Sequence, residues 1–329
     1  MNKFYIIDEN QQEVFDQDWY FEEKGKHPII AWWSGGITSA VTCKLCIDIY
    51  GAENVRVIFI DTENEHKDTY RFKNDCEKWY ELPIETITGI GEKFKSIVDV
   101  WTKYKSLNVS HGAVCSSTLK TNVRKKWQKD NGYSAQAFGF DMDEVRRVQG
   151  MKTNHPEAKP IFPLLMFGYK KADCLDLVIE LGIEVPEMYK LGFSNNNCFG
   201  KSDTSIGGCV QGGIGYWQKM KRDFPEKFDK MADMEHKLTE NKGVPVTMLK
   251  DQSKSGGLVF LKHNPTYPDI KDVSMMKGRE PKPLMECNGF CGINDVDERS
   301  STEKEINFQM DIFDIIEDEK KQINYDRNI

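Results

Sequence analysis

The chain has 329 residues, enough for one large domain or two modest ones. Hydrophobic residues make up 39% and charged residues 29%, an ordinary globular balance, and no apolar run approaches the roughly 20 residues that span a bilayer. A net charge of −7 argues against a globally basic, non-specific nucleic-acid binder, although a local basic groove can hide in the average.

Residues 1–26 are polar and acidic with interspersed aromatics, and they lack the apolar core of a signal peptide. A cytoplasmic protein with no membrane partner is expected. Residues 28–33, PIIAWW, form a continuous apolar run suited to a buried parallel strand. The run stops at Ser34-Gly35-Gly36, and helical spacing begins at 38 and lasts to 50. Residues 55–61 predict a second strand ending in Asp61, 67–80 a helix, and 84–88 a third strand. Helices are predicted over 92–105 and 117–130, and a fourth strand over 134–140. Strands alternating with helices imply a parallel sheet covered on both faces, with ligands at the carboxyl ends of the strands. A further helix is predicted over 170–182, and residues 187–215 are rich in Gly and Asn. Helical spacing returns over 216–238, followed by loop composition to 285 and a charged tail from 300.

A Gly-Gly pair between strand and helix lets backbone N–H groups approach a phosphate closely. Ser34, Thr38 and Ser39 add hydroxyls at the helix start, where the dipole also favours an anion. A tight turn with a Ser or Thr cap is the other use of such a loop. It is neither a Walker loop nor a GxGxxG turn. Asp61 and Thr62 close the second strand, where an adenosine ribose or a metal can be held.

There are nine cysteines, an odd number, and no secretion signal, so free thiols are expected. Cys43, Cys46, Cys76 and Cys174 fall in helical patterns and read as core thiols. Cys115, Cys198, Cys209, Cys287 and Cys291 lie beside Gly, Asn or Ser and read as ligands or reactive thiols. Cys115 opens a helix five residues before Lys120, where the dipole and nearby cations favour thiolate. The basic run 120–129 otherwise reads as a solvated helix face.

SGGITS followed by VIFIDTENEH resembles the PP-loop of the adenine nucleotide α-hydrolase (HUP) superfamily. Within it the match is to the phosphoadenosine phosphosulfate (PAPS) reductase-like family, of phage and bacterial type. That family's loop usually reads SGGxDS; here Thr38 replaces the Asp, removing a carboxylate able to organise Mg²⁺. Residues 111–127 resemble the reductase segment whose Cys-Cys pair binds a [4Fe–4S] cluster, but Ser116 fills one slot. Residues 185–213 resemble the lead-in to that cluster's second cysteine pair, with ten residues between Cys198 and Cys209. AFGFDMDEVRR, from 137, resembles the segment whose Gly, Glu and Arg line the nucleotide site, which implies roles for Gly139, Arg146 and Arg147.

The resemblance implies a parallel Rossmann-like α/β sheet with helices on both faces and a small cysteine-containing C-terminal module. The expected division is an extension 1–26, a PP-loop nucleotide-binding domain 27–185, a Cys/Gly-rich module 186–299 and a charged tail 300–329. ATP, or adenylylsulfate (APS) or PAPS, would rest on Ser34, Gly35, Gly36, Thr38, Ser39, Asp61, Thr62 and Gly139. Arg146, Arg147 and Lys120 would act on the nucleotide, and Cys287 is a loose counterpart of the reductase nucleophile. Cys115, Cys198, Cys209, Cys287 and Cys291 would supply thiolates to an iron–sulfur cluster. A structural zinc site on Cys198, Cys209, Cys287 and Cys291 is the alternative. The implied activity is substrate adenylation with sulfur transfer, or sulfonucleotide reduction, with the sulfur donor and acceptor open. The rival is a non-catalytic nucleotide- and metal-binding subunit with a protein or nucleic-acid partner.

Overall fold

The computed structural model describes residues 27–109, 112–251, 253 and 256–281. Cys287 and Cys291, the N-terminal extension and the charged tail lie outside the described residues.

Chain order runs β1 (Ile29–Trp33), α1 (Ile37–Tyr50), β2 (Val55–Asp61), α2 (Asp68–Tyr80), β3 (Ile84–Thr88), α3 (Ile97–Tyr104) and α4 (Asn122–Asp130). It continues through β4 (Gln136–Ala137), α5 (Val145–Asn154), β5 (Pro160–Ile161) and α6 (Lys171–Glu180). Two further helices follow, α7 (Ile214–Asp223) and α8 (Pro225–Lys242). The five strands form one sheet in the order β3-β2-β1-β4-β5, parallel throughout. The expected Rossmann-like α/β class is therefore the class observed.

The central strands are apolar at consecutive positions because both faces of the sheet are covered. Alternate side chains go to opposite faces. Ile29, Ala31 and Trp33 of β1 join Val55, Val57 and Phe59 of β2 in one core, with α1, α2 and α6. Ile30, Trp32, Ile58 and Ile60 join Phe138, Phe140, Val148 and Phe162 on the other face. The edge strand β3 fully buries only Ile84, half-buries Ile87 against the second core, and is polar at its other positions. Cys43, Cys46, Cys76 and Cys174 are buried in the first of these cores. Burial pushes the Cys76 thiol up to about 12 and Cys46 higher still, so both are inert.

A further core draws on α3, on Leu119, and on Met188, Phe193, Trp217, Phe228 and Leu261. The ladder of β4 is shorter than the apolar run 134–140, because the chain leaves the sheet after Ala137 and presents Gly139 to α1. Helix α3 starts at 97 rather than 92, because Ser96 forms a capping box with Asp99. One predicted helix over 216–238 is two: Pro225 excludes Phe224 from the helical region (φ −137°, ψ 57°) and starts α8 afresh. Among the described residues no helix is long and apolar enough to cross a membrane.

Glu235 of α8 is fully buried and its carboxylate accepts the Met248 N–H at 3.0 Å and the Leu261 N–H at 2.7 Å. It pins α8 to the chain that follows. Burial outweighs those two bonds and pushes the carboxyl up to about 8. A folded-state value above the unfolded one gives stability that is full below about pH 4 and is lost as pH rises through about 8. The denaturation midpoint should therefore fall between about pH 5 and 8, and Glu235→Gln should flatten that slope; an unchanged slope in the variant would assign it to other groups.

Candidate functional site

Strand order reverses between β1 and β4, and the crevice at the carboxyl ends of these two strands is where such sheets bind ligands. The loop Ser34–Gly36 leaves β1 into this crevice and opens α1. Gly36 caps the helix in extended conformation (φ −93°, ψ 163°). Gly35 has φ +89°, and a Cβ there would lie 2.9 Å from Cγ2 of Thr69. Gly139, just past β4, packs backbone to backbone against α1: a Cβ would lie 2.8 Å from both N and Cα of Ser39. Both positions admit only glycine without movement.

The serine hydroxyls shape the loop. The Ser39 hydroxyl accepts from the Ser34 N–H at 3.0 Å and from the Ser34 hydroxyl at 2.9 Å, and donates to the Gly36 carbonyl at 2.9 Å. Thr38 and Ser39 are buried. The loop thus leads into a 14-residue helix whose first turn carries no acidic residue, and the backbone N–H groups and dipole at such a helix start favour negative charge. Two distant side chains reach this loop. The Ile37 N–H donates to the Tyr189 hydroxyl at 3.1 Å, and Asn196 Nδ2 donates to the Gly35 carbonyl at 2.8 Å and to Thr69 Oγ1 at 3.0 Å. Lys171 Nζ lies 5.4 Å from the centroid of the Tyr189 ring.

At the end of β2, Asp61 is buried and accepts the Tyr70 hydroxyl at 3.1 and 3.0 Å and the Glu63 N–H at 2.7 Å. Burial and the Asp61 charge push the Tyr70 phenol far above its usual range, so it stays a donor. Thr62 donates to Glu65 at 3.0 Å and lies 3.6 Å from the Cys198 sulfur. Lys120, 3% exposed, pairs with Glu65 at 3.3 Å. The Lys120 ammonium thus neutralises Glu65 at the strand end; Cys198 Sγ is 4.0 Å from the same carboxylate. Sequence reading missed Glu65, Tyr189 and Asn196; the run of three asparagines was the one available signal for the last.

Arg147 is buried, pairs with Glu144 and lies over the Phe140 ring at 4.2 Å, while Arg146 is exposed on the same helix. Burial raises the Asp141 carboxyl, which accepts the Asp143 N–H at 2.9 Å. Cys209 is buried, its N–H donating to the Tyr216 hydroxyl at 3.0 Å, and Asn197 Nδ2 lies 3.8 Å from its sulfur. The ten residues between Cys198 and Cys209 fold back on themselves: a Cβ on Gly207 would fall 1.8 Å from the Phe199 carbonyl oxygen. Among the described residues no three His, Cys, Asp or Glu side chains converge on a metal position. Cys115, Cys198 and Cys209 alone therefore do not fit a cluster or a zinc ion. A cleft of about 770 Å³ adjoins Phe199, lined also by His66, Arg71, Glu187, Phe224 and Lys227. Burial lowers the His66 imidazole, whose Nδ1 accepts the Asp68 N–H at 3.1 Å.

This is the architecture of a PP-loop α/β protein, with a glycine loop at the switch point of a parallel sheet. The phosphoadenosine phosphosulfate reductase domain model matches residues 28–203, and the chain belongs to that family. It is 25% identical over 226 residues to an uncharacterized protein of Methanocaldococcus jannaschii, an alignment covering 66% of this chain and 43% of the relative. The chain thus spans under half the length of that curated relative. Among solved structures, the PAPS reductase of Candida auris in a phosphate complex shares 17% identity over 57% of this chain and 87% of its own, with a TM-score of 0.40. The NH3-dependent NAD synthetase of Campylobacter jejuni, in complex with nitrate, shares 16% over 70% and 94%, with a TM-score of 0.37.

The Gly139–Ser39 approach is directly testable. Gly139→Ala should lower stability by about 1–3 kcal/mol, because only backbone can give way, and should displace the first turn of α1. Thermal unfolding of the variant checks this; an unchanged midpoint would mean that the two segments are not in contact.

Proposed function

We propose that this chain is an adenylyl-nucleotide-dependent enzyme that holds the phosphates of ATP, APS or PAPS on the Ser34–Ser39 loop and carries out sulfur chemistry there. The observation that carries the reading is the loop: bare backbone at the head of a long helix, at the switch point of a parallel sheet. Membership of the PAPS reductase domain family supports it. Asp61 and Gly139 flank the loop from the adjacent strands, and Lys171 supplies nearby positive charge.

Two reactions are compatible with this site. In reduction, a cysteine thiolate attacks the sulfur of APS or PAPS, the bond from sulfur to the phosphate oxygen breaks, and AMP or its 3′-phosphate leaves. A second thiol then displaces sulfite and leaves a disulfide. In adenylation, a substrate oxygen attacks the α-phosphate of ATP, pyrophosphate leaves, and a sulfur or amine nucleophile later displaces AMP. Cys198 is the thiol beside the carboxyl end of β2, and Cys287 is the other candidate nucleophile. A non-catalytic binding role draws on one observation, the uncharged and buried Thr38 where the family usually carries Asp.

Incubation with PAPS and a thiol donor, and separately with ATP, distinguishes the branches by sulfite or pyrophosphate release; neither product with any adenylyl nucleotide would leave only binding. Gly36→Asp should keep the fold, because Asp caps helices well, yet weaken nucleotide binding by at least about tenfold through charge repulsion. Unchanged calorimetric affinity in that variant would remove the phosphates from this loop. A bound cluster or zinc ion would need thiols beyond Cys115, Cys198 and Cys209. Iron and zinc content of anaerobically prepared protein should therefore drop in Cys287→Ser and Cys291→Ser; content that survives both would point elsewhere.

A further inference from the structure

Residues 195–200 form a strap across the carboxyl ends of β1 and β2. Cys198 bridges to Glu65, and the Phe199 and Gly200 N–H groups both donate to the Asn64 carbonyl, at 3.0 and 2.9 Å. From the same strap Asn196 reaches the phosphate loop. We infer that Asn196 is a positioning residue that fixes which way the Gly35–Gly36 peptide points, and so keeps the loop receptive to an anion. This rests on the reading of Ser34–Ser39 as a phosphate cradle.

In a planar trans peptide the carbonyl of residue 35 and the N–H of residue 36 point in opposite directions. The peptide lies between two glycines, one with φ +89°, so no side chain opposes its turning over. One orientation offers a phosphate the Gly36 N–H; the other offers it a carbonyl oxygen, which repels. Asn196 separates the two because an amide N–H can hold only the carbonyl. The second proton of its NH₂ goes to Thr69 Oγ1, so the donor end is fixed twice. Rotating the amide would set Oδ1 against the Gly35 oxygen, acceptor against acceptor. As oriented, Oδ1 is buried and has no hydrogen-bond partner among the described residues. An apolar side chain would fill that space without burying such an oxygen, so the position uses the donor.

The same strap carries Cys198, two residues on, at most about 7 Å of extended chain away. Phosphate binding and the surroundings of that thiol therefore share one segment.

The test is calorimetric titration of the full chain with inorganic pyrophosphate and with ATP, for wild type, Asn196→Ala and Asn196→Asp. The alanine variant should bind at least about tenfold more weakly. The near-isosteric aspartate variant adds a readout that mere packing would not move. At pH 8 its carboxylate cannot donate to Gly35 and favours the turned peptide; burial at this position and the facing carbonyl raise the carboxyl, so that towards pH 5 it takes up a proton and can donate. Its deficit relative to wild type at the same pH should therefore shrink by at least about threefold between about pH 8 and 5. Both variants within about twofold of wild type would overturn the inference, as would an aspartate deficit independent of pH should the alanine variant fail to fold. A wild-type chain that binds neither ligand overturns the phosphate-cradle reading itself.

Discussion

The arrangement of this protein follows from two strands that are apolar on both sides. β1 and β2 bury nearly every side chain, so neither face of the sheet can meet water. Each connection must then cross a face as a helix, and each strand must end on the same edge. That requirement collects Ser34, Asp61 and Gly139, far apart in sequence, along one edge of the sheet. Gly139 lets that edge close until backbone meets backbone, and Gly35 lets the Thr69 side chain pack against the loop.

What the edge can do chemically is set by which groups are already committed. The serine hydroxyls of the loop bond to each other and to the Gly36 carbonyl, which leaves the amides and the helix start as the loop's electropositive groups. The Asp61 carboxylate is held by Tyr70, and Glu65 by Thr62 and Lys120. Burying Lys120 with Glu65 avoids an uncompensated charge under the strap, where the loss of either partner would be costly. The cations near the crevice thus divide into those that neutralise the protein's own carboxylates and those, such as Lys171, beside the loop.

Much of this was legible in the sequence for a physical reason. Burial on both faces writes itself as an unbroken apolar run, so the strands 29–33 and 55–61 fall where the pattern puts them. The glycine loop was legible because only glycine serves there. Boundaries set by a single contact were not: the early end of β4 depends on Gly139 meeting Ser39, and the break at Phe224 on one proline inside a continuous helical period. Tyr189 and Asn196 were illegible for a different reason. Each bonds to a backbone atom more than a hundred residues away, and a backbone atom leaves no mark on its partner's sequence. Lys120 was singled out as a charge near a nucleotide, while its carboxylate partner Glu65 came only from the fold.

The fold-back between Phe199 and Gly207 changes how the spacing of Cys198 and Cys209 should be understood. Ten intervening residues suggest a wide and floppy separation when counted along the chain. With the two arms in backbone contact at their base, that excursion is a side loop, and its length no longer measures anything between the sulfurs. Residues 201–206 could grow or shrink in related chains while the two thiols kept their places. A search for relatives by fixed cysteine spacing would then pass over proteins with the same site.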